Sequence, residues 1–205
     1  PVPCAAACSA AVAAPANAVY PRRVPELPEV ETVARGLARV WEGERFARVE
    51  ARRPDLRWPL PQDLGQRLTG ARVTKVGRRG KYGLVDTDRG DTMIFHLGMS
   101  GRMRLDPAET EKHDHVLWTT DAGRVVAFND ARRFGSLDFA PTDALAAHPL
   151  LAGMGPEPLG EDFTTAHLAK RFAASASPVK ALLLDQRVVA GLGNIYVAEA
   201  LHLAR

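Results

Sequence analysis

The chain has 205 residues, 46% of them hydrophobic, a formal net charge of +3 and two cysteines. This length and apolar content suit a globular protein of one large or two small domains, and no apolar run is long enough for a membrane-spanning helix. Both cysteines, Cys4 and Cys8, fall in the first eight residues, so the rest of the chain has neither a disulfide nor a cysteine-ligated zinc, which fits a reducing cytoplasm.

Residues 1–24, "PVPCAAACSAAVAAPANAVYPRRV", are mostly Ala, Val and Pro. No basic segment precedes the small-residue pattern "ANA", and prolines interrupt a weakly apolar stretch, so the expectation is a disordered or mis-annotated leader rather than a secretory signal. After Pro28, Val30, Val33, Leu37 and Val40 recur at helical spacing. Glu29 and Glu31 occupy the first turn, where the helix dipole favours acids, and Gly43 marks the end. From Arg45 to Lys81 there are eleven basic residues against three acids, Glu50, Asp55 and Asp63. Such an excess suits a polyanionic partner such as DNA or RNA, or else a solvated basic face.

Residues 67–105 read as β-strands divided by glycine-containing turns. Residues 115–130 form a hairpin about Asp121-Ala122-Gly123, and residues 132–140 supply another strand. Short, regularly spaced strands predict an antiparallel sandwich or barrel. From Pro141 the texture changes: a Pro/Gly-punctuated connection leads to helical patterns at 163–175 and 177–186, and the turn "GLGN" opens a last helix that runs to Arg205 without a stop signal. An anion site is expected on the backbone N–H groups of that helix start.

Four segments, in this order, resemble formamidopyrimidine-DNA glycosylase, a bacterial repair family that removes oxidised purines: "PELPEVETVARGL" (25–37), "HLGMSGRMR" (96–104), "EKHDHV" with "NDARRFG" (111–135) and "GLGNIYVAEAL" (191–201), with "RWP" and "RRGKY" between them. The resemblance runs from Pro25 to Arg205. It implies an α+β fold, with an N-terminal antiparallel β-sandwich flanked by helices over residues 25–140. An all-α helix-two-turn-helix domain follows over 141–205, incomplete here.

By resemblance, Pro25 is the nucleophile, its secondary amine attacking C1′ of the damaged nucleotide, as a lysine amine forms a Schiff base. An α-amino group titrates near ~8, so a useful fraction is free at neutral pH. Glu26 is the implied general acid toward the sugar ring oxygen. Lys81 is the implied phosphate contact and proton donor in β-elimination. Read without the resemblance, Pro25-Glu26 is an ordinary helix start and Lys81 one more surface lysine. A nitrogen acylated by Val24 would be a tertiary amide unable to attack, so the expectation is that Val24 is a misread initiator, and that residues 1–24 are absent from the working protein.

A lesion inside a duplex must be extruded and its place filled. Met99, Arg132 and Phe134 match the family's void-filling wedge, with glycines flanking Met99 as an insert requires. His113 matches a DNA-contacting histidine, while His96 reads as structural. Lys180, Asn194 and Tyr196 are implied phosphate contacts. His113 and His115 could be two metal ligands, but no third ligand lies nearby, so no metal is expected in this chain.

Two departures stand out. The family continues past Arg205 and usually carries a four-cysteine finger with one structural Zn2+, linked to the second elimination step; and a lysine of the helical linker is replaced near Ala176. Apolar surface is expected at Leu201 and Leu203 and, with it, a marginal second domain. The expected protein is a cytoplasmic, nucleoid-associated monomer, without a redox cofactor, that acts on double-stranded DNA containing oxidised bases. The alternatives are a non-catalytic damaged-DNA-binding fragment, a related glycosylase for oxidised pyrimidines, and, least consistent with the first half, a helical RNA-binding protein.

Overall fold

The computed structural model describes residues 24–204; Cys4, Cys8 and the rest of the leader up to Arg23 lie outside the described residues, as does Arg205. Helix α1 (Leu27–Trp41) starts where the sequence pattern places it. Pro28 tolerates the first turn because its missing N–H would have no partner there, and the Glu29 carboxylate accepts the Glu26 N–H at 3.1 Å. Leu27, Val30, Ala34, Leu37, Val40 and Trp41 form its buried face. Gly43, at φ 83°, turns the chain away in the left-handed region that suits glycine.

Eight strands follow: β1 (Phe46–Ala51), β2 (Val73–Arg79), β3 (Tyr82–Thr87), β4 (Asp91–His96), β5 (Arg102–Leu105), β6 (Asp114–Thr120), β7 (Val125–Asn129) and β8 (Ser136–Pro141). They form two antiparallel four-stranded sheets, ordered β1-β6-β7-β5 and β2-β3-β4-β8. A short helix, α2 (Leu64–Leu68), lies between β1 and β2. Neither β1 nor α2 stands out in the sequence. β1 is an edge strand on which only Phe46 is fully buried, so alternation is missing, and α2 is too short to show a period.

The two sheets and α1 enclose one apolar core containing Trp41, Phe46, Phe95, Trp118 and Phe128. Trp41 meets Phe46 and Trp118 edge-on, with ring centroids 5.2 and 5.5 Å away, the arrangement that aromatic quadrupoles prefer. Each of these side chains contributes about 1.5–3 kcal/mol by leaving water. On β3, Gly83 gives its space to Phe95: a Cβ there would lie 2.0 Å from the Phe95 ring.

After a 3-10 turn at Thr142–Ala147, the chain forms α3 (Thr165–Ala173), α4 (Val179–Leu184) and α5 (Asn194–Leu203). The Thr164 hydroxyl caps α3 by accepting the His167 N–H at 3.1 Å. Gln186 shapes the turn before α5. Its Oε1 accepts the Gly191 N–H at 2.8 Å, and its Nε2 donates to Leu192 O at 2.9 Å. The α+β class expected from sequence is therefore observed, a sandwich followed by helices. No described helix is long and apolar enough to cross a membrane.

Polar contacts fasten the helical part to the sandwich. The Glu157 carboxylate accepts the Gly80 N–H at 2.7 Å and bonds from Arg78 at 2.7 Å and Arg79 at 2.8 Å. Arg78 also reaches Glu31 of α1 at 2.9 Å. Burial alone would raise the Glu157 pKa, but the Gly80 amide and the two guanidinium groups outweigh it and hold the carboxyl below its ordinary range.

Candidate active site and nucleic-acid interface

Pro25 is half-buried, and Glu26 beside it is 2% exposed. The Glu26 carboxylate reaches across to the N-terminus of α5. Its Oε1 accepts the Ile195 N–H at 2.9 Å, and its Oε2 accepts those of Gly193 at 2.9 Å and Tyr196 at 3.2 Å. This corrects the expectation of a phosphate on these N–H groups: the anion at the helix start is the protein's own carboxylate. Two glycines permit the approach. A Cβ on Gly193 would lie 2.3 Å from the Glu26 carboxyl carbon, and one on Gly191 would lie 2.4 Å from Leu27. The Leu27 N–H donates to Gly191 O at 3.1 Å. Glu29 completes the group, taking the Tyr196 hydroxyl at 3.2 Å as well as the Glu26 amide.

Lys81 does not lie on a strand, as its sequence context suggested. Arg79 pairs with Tyr82 across β2 and β3, so Gly80 and Lys81 form a two-residue turn, with Gly80 at φ 57°. Burial lowers the Lys81 pKa from the ordinary lysine value, and the Glu26 charge opposes that shift. Pro25, Glu26, Lys81 and Tyr196 thus converge on one end of α5. Asn194 is exposed at the same helix start, and Lys180 is exposed in the first turn of α4.

The second cluster lies at the loop ends of the sandwich. Met99, in the β4–β5 loop, is 42% exposed, and Phe134, in the β7–β8 loop, is 40% exposed. The Arg132 guanidinium stacks over the Phe134 ring at 4.7 Å, a cation–π contact. The two loops touch through their backbones, since a Cβ on Gly98 would meet Phe134 and Gly135 main-chain atoms at 2.4–2.6 Å. His113 precedes β6; its carbonyl accepts the Asp130 N–H at 3.0 Å. The His115 ring is buried and bonds Asp130 O at 2.7 Å. That contact accounts for His115 without a metal ion. Among the described residues there is no cysteine and no group of three or more His, Asp or Glu placed to hold a metal. The described residues therefore do not provide the zinc site that the resemblance implies.

His96 links the two clusters, a role its sequence position alone does not reveal. Its ring lies 4.9 Å from Tyr82, and its Nδ1 accepts the Gly98 N–H at 3.0 Å at the start of the Met99 loop. Burial, with the nearby charges of Lys81 and Arg57, lowers its pKa to about 4, so the ring is neutral at pH 7. Glu29, Asp130 and Glu157 also escape a reading by type and spacing. Only Glu29 leaves a trace, as the acid three residues into a helix start. Within the basic run, Arg45, Arg48, Arg53, Arg67, Arg78 and Arg79 all take carboxylate partners, so more than half of its eleven cations also serve contacts within the fold.

The family described as Formamidopyrimidine-DNA glycosylase N-terminal domain matches residues 24–137, and the Formamidopyrimidine-DNA glycosylase H2TH domain matches residues 154–205. A formamidopyrimidine-DNA glycosylase from Rhizorhabdus wittichii is 59% identical over 180 residues, covering 88% of this chain and 67% of that protein. One from Sphingopyxis alaskensis is 60% identical over 182 residues, covering 89% of this chain and 67% of that protein. The chain thus spans about two thirds of the length of these relatives. Among solved structures, the Lactococcus lactis Fpg bound to DNA containing an abasic site superposes with a TM-score of 0.81 at 37% identity, over 88% of this chain and 67% of that one. MutM in complex with DNA containing carbocyclic 8-oxo-G gives 0.81 at 38% identity, over 88% and 68%.

Proposed function

Because the chain belongs to the formamidopyrimidine-DNA glycosylase family, we propose that Pro25, Glu26 and Lys81 carry the chemistry of a base-excision repair enzyme. The family assignment makes the protein a DNA glycosylase and abasic-site lyase acting on oxidised purines in double-stranded DNA. The observation that carries the residue assignment is the seat of Glu26. A buried carboxylate next to Pro25 is held by three backbone N–H groups from the other end of the chain, with the Lys81 ammonium close enough to feel its charge.

The Pro25 nitrogen attacks C1′ of the lesion, forming a C–N bond as the bond from C1′ to the base breaks. On attack the Pro25 nitrogen releases its proton to the Glu26 carboxylate, which passes it to the sugar ring oxygen, so that the ring opens to an iminium while the departing base takes a proton from solvent. Loss of a C2′ proton then expels the 3′ phosphate and cuts the strand. Lys81, with its pKa lowered by burial, exchanges a proton nearer neutrality than a surface lysine does. Met99, Arg132 and Phe134 fill the space that the extruded nucleotide leaves. His113, Lys180, Asn194 and Tyr196 bind the DNA around it.

The working protein is a monomer in the cytoplasm, at the nucleoid, where its substrate lies. Its Pro25 nitrogen is free, because an acylated ring nitrogen has no lone pair to give. The ligands of a structural zinc lie outside the described residues.

Borohydride reduction tests the reading directly, since an iminium reduced in place leaves a covalent protein–DNA adduct. Protein beginning at Pro25 is expected to crosslink to duplex containing 8-oxoguanine, and protein beginning at residue 1, with no processing, is expected not to. Absence of an adduct with Pro25 free removes the assignment. Equal crosslinking by an intact chain from residue 1 removes Pro25 as nucleophile.

A further inference from the structure

The exposed tip that carries two wedge residues closes on one buried side chain. Ala131, Arg132, Arg133 and Phe134 are all exposed, whereas Asp130 before them and Gly135 after them are buried, Asp130 at 0%. The Asp130 Oδ2 accepts the Gly135 N–H at 2.8 Å, which closes the tip at its base. Its Oδ1 accepts the Ser100 hydroxyl at 2.5 Å and the Arg132 N–H at 3.3 Å. Ser100 Oγ in turn takes the Arg132 N–H at 3.2 Å. Ser100 follows Met99, so the Asp130 carboxylate joins the loop of Met99 to the loop of Arg132 and Phe134.

The Asp130 main chain extends the junction. Its N–H donates to His113 O, and its carbonyl accepts from the His115 ring at 2.7 Å and the Arg133 N–H at 3.3 Å. Every polar atom of this residue is therefore committed, and the partners lie in the sandwich segments that bear Met99, His113 and the Arg132–Phe134 tip.

Two further features show that the tip is held rather than relaxed. Arg133 sits at φ 56°, a left-handed conformation that is strained for a residue with a Cβ and persists only where the surroundings enforce it. The same reversal accompanies the stacking of Arg132 on the Phe134 ring. Gly98 and Gly135 also leave the loops no space to slide, since a Cβ on Gly135 would meet Phe128 at 2.5 Å and one on Gly98 would meet Phe134 main-chain atoms at 2.4 Å.

We propose that Asp130 is the positioning residue of the wedge: its carboxylate locks the Met99 loop and the Arg132–Phe134 tip into one pre-formed unit, so that the lesion is extruded against a rigid insert. The inference rests on the wedge reading given above. It goes beyond that reading because Asp130, fully buried, acts only through the residues proposed to enter the duplex. A carboxylate satisfies all the donors at this position at once. A hydroxyl and two backbone N–H groups converge on two oxygens, both accepting. An asparagine would turn its NH2 toward one of those N–H donors, and a buried donor left unpaired is costly.

The test compares a step that needs the wedge with one that needs it less. A paired 8-oxoguanine must be unstacked, whereas a preformed abasic site has no base to extrude. Both are measured on protein with a free Pro25 nitrogen, as single-turnover excision and as borohydride crosslinking. Asp130→Asn is expected to slow excision by about tenfold or more, the scale of a misplaced insert, while crosslinking to the abasic site stays within about twofold. Ser100→Ala, at a half-exposed position and milder for the fold, is expected to give the same split at smaller size, and Ser100→Thr, which keeps the hydroxyl, to restore excision.

Equal losses on both substrates in Asp130→Asn and Ser100→Ala overturn the positioning role, because they mean general damage. So does unchanged excision in both variants. Wild-type protein that fails to crosslink to the abasic site overturns the enzymatic reading itself; wild-type protein that crosslinks while the variants show no split overturns this inference alone.

Discussion

A methyl group on Gly193 would sit 2.3 Å from the Glu26 carboxyl carbon, so Gly193→Ala must move the acid, the helix or both. The substitution is expected to cost about 1–3 kcal/mol in stability through overpacking. It should also lower borohydride crosslinking about a hundredfold, because a displacement near 1 Å in a reacting group has that effect. Crosslinking at the wild-type rate with an intact melting transition would mean that the seat of Glu26 does not matter. His96 supplies a pH dependence with a definite sign. Its folded pKa is about 4 against the ordinary histidine value of 6.5, so between those values the unfolded chain binds the extra proton. Stability is therefore complete above pH 6.5 and falls as the pH drops toward 4. His115, also lowered chiefly by burial, adds in the same direction. Urea midpoints at pH 7 and pH 5 should differ less in His96→Gln than in the wild type. At this scale the words "PELPE" and "GLGN" identify both partners of the Glu26 contact, but nothing in either says that they meet. The contact spans 167 residues, and a helix start looks equally ready for a phosphate or a carboxylate.

The β2–β3 turn is the element on which the two halves of the chain depend. Arg78, Arg79 and Gly80 all bond Glu157, so Glu157→Gln trades charge-assisted bonds for neutral ones and sets an NH2 against one donor. It should cost about 2 kcal/mol, the usual value of hydrogen bonds to a charged group, read as a lower urea midpoint, with earlier exchange of the Gly80 amide. Within the sandwich, β3 and β4 are matched through Gly83 and Phe95. The helix α1 and the β6–β7 hairpin are legible in the sequence because their apolar residues keep a clean period. β1 is not, since Arg48, Glu50 and the register shift near Phe46 break the alternation. Lys81 looked like a strand residue because its neighbours are; only the pairing of Arg79 with Tyr82 places it in the turn.

The whole molecule carries its two candidate clusters in different places, the proposed wedge on the loops of the sandwich and the helix-end group between sandwich and helices. Binding to duplex DNA should weaken steeply with salt, and Lys180→Ala should reduce the slope of log K against log salt by about 0.9 if that side chain neutralises one phosphate. An unchanged slope would remove Lys180 from the interface. The change of texture after Pro141 marks where strands give way to helices, whereas the charge surplus between Arg45 and Lys81 does not say which guanidinium groups answer carboxylates of the same fold. The Glu26 seat has a consequence for assembly. The acid grows out of the first unit, yet the three amides that steady it belong to the last helix. On the proposed chemistry, a molecule whose halves have come apart loses the geometry around Glu26 in the same event, and turnover becomes a gauge of whether they are docked.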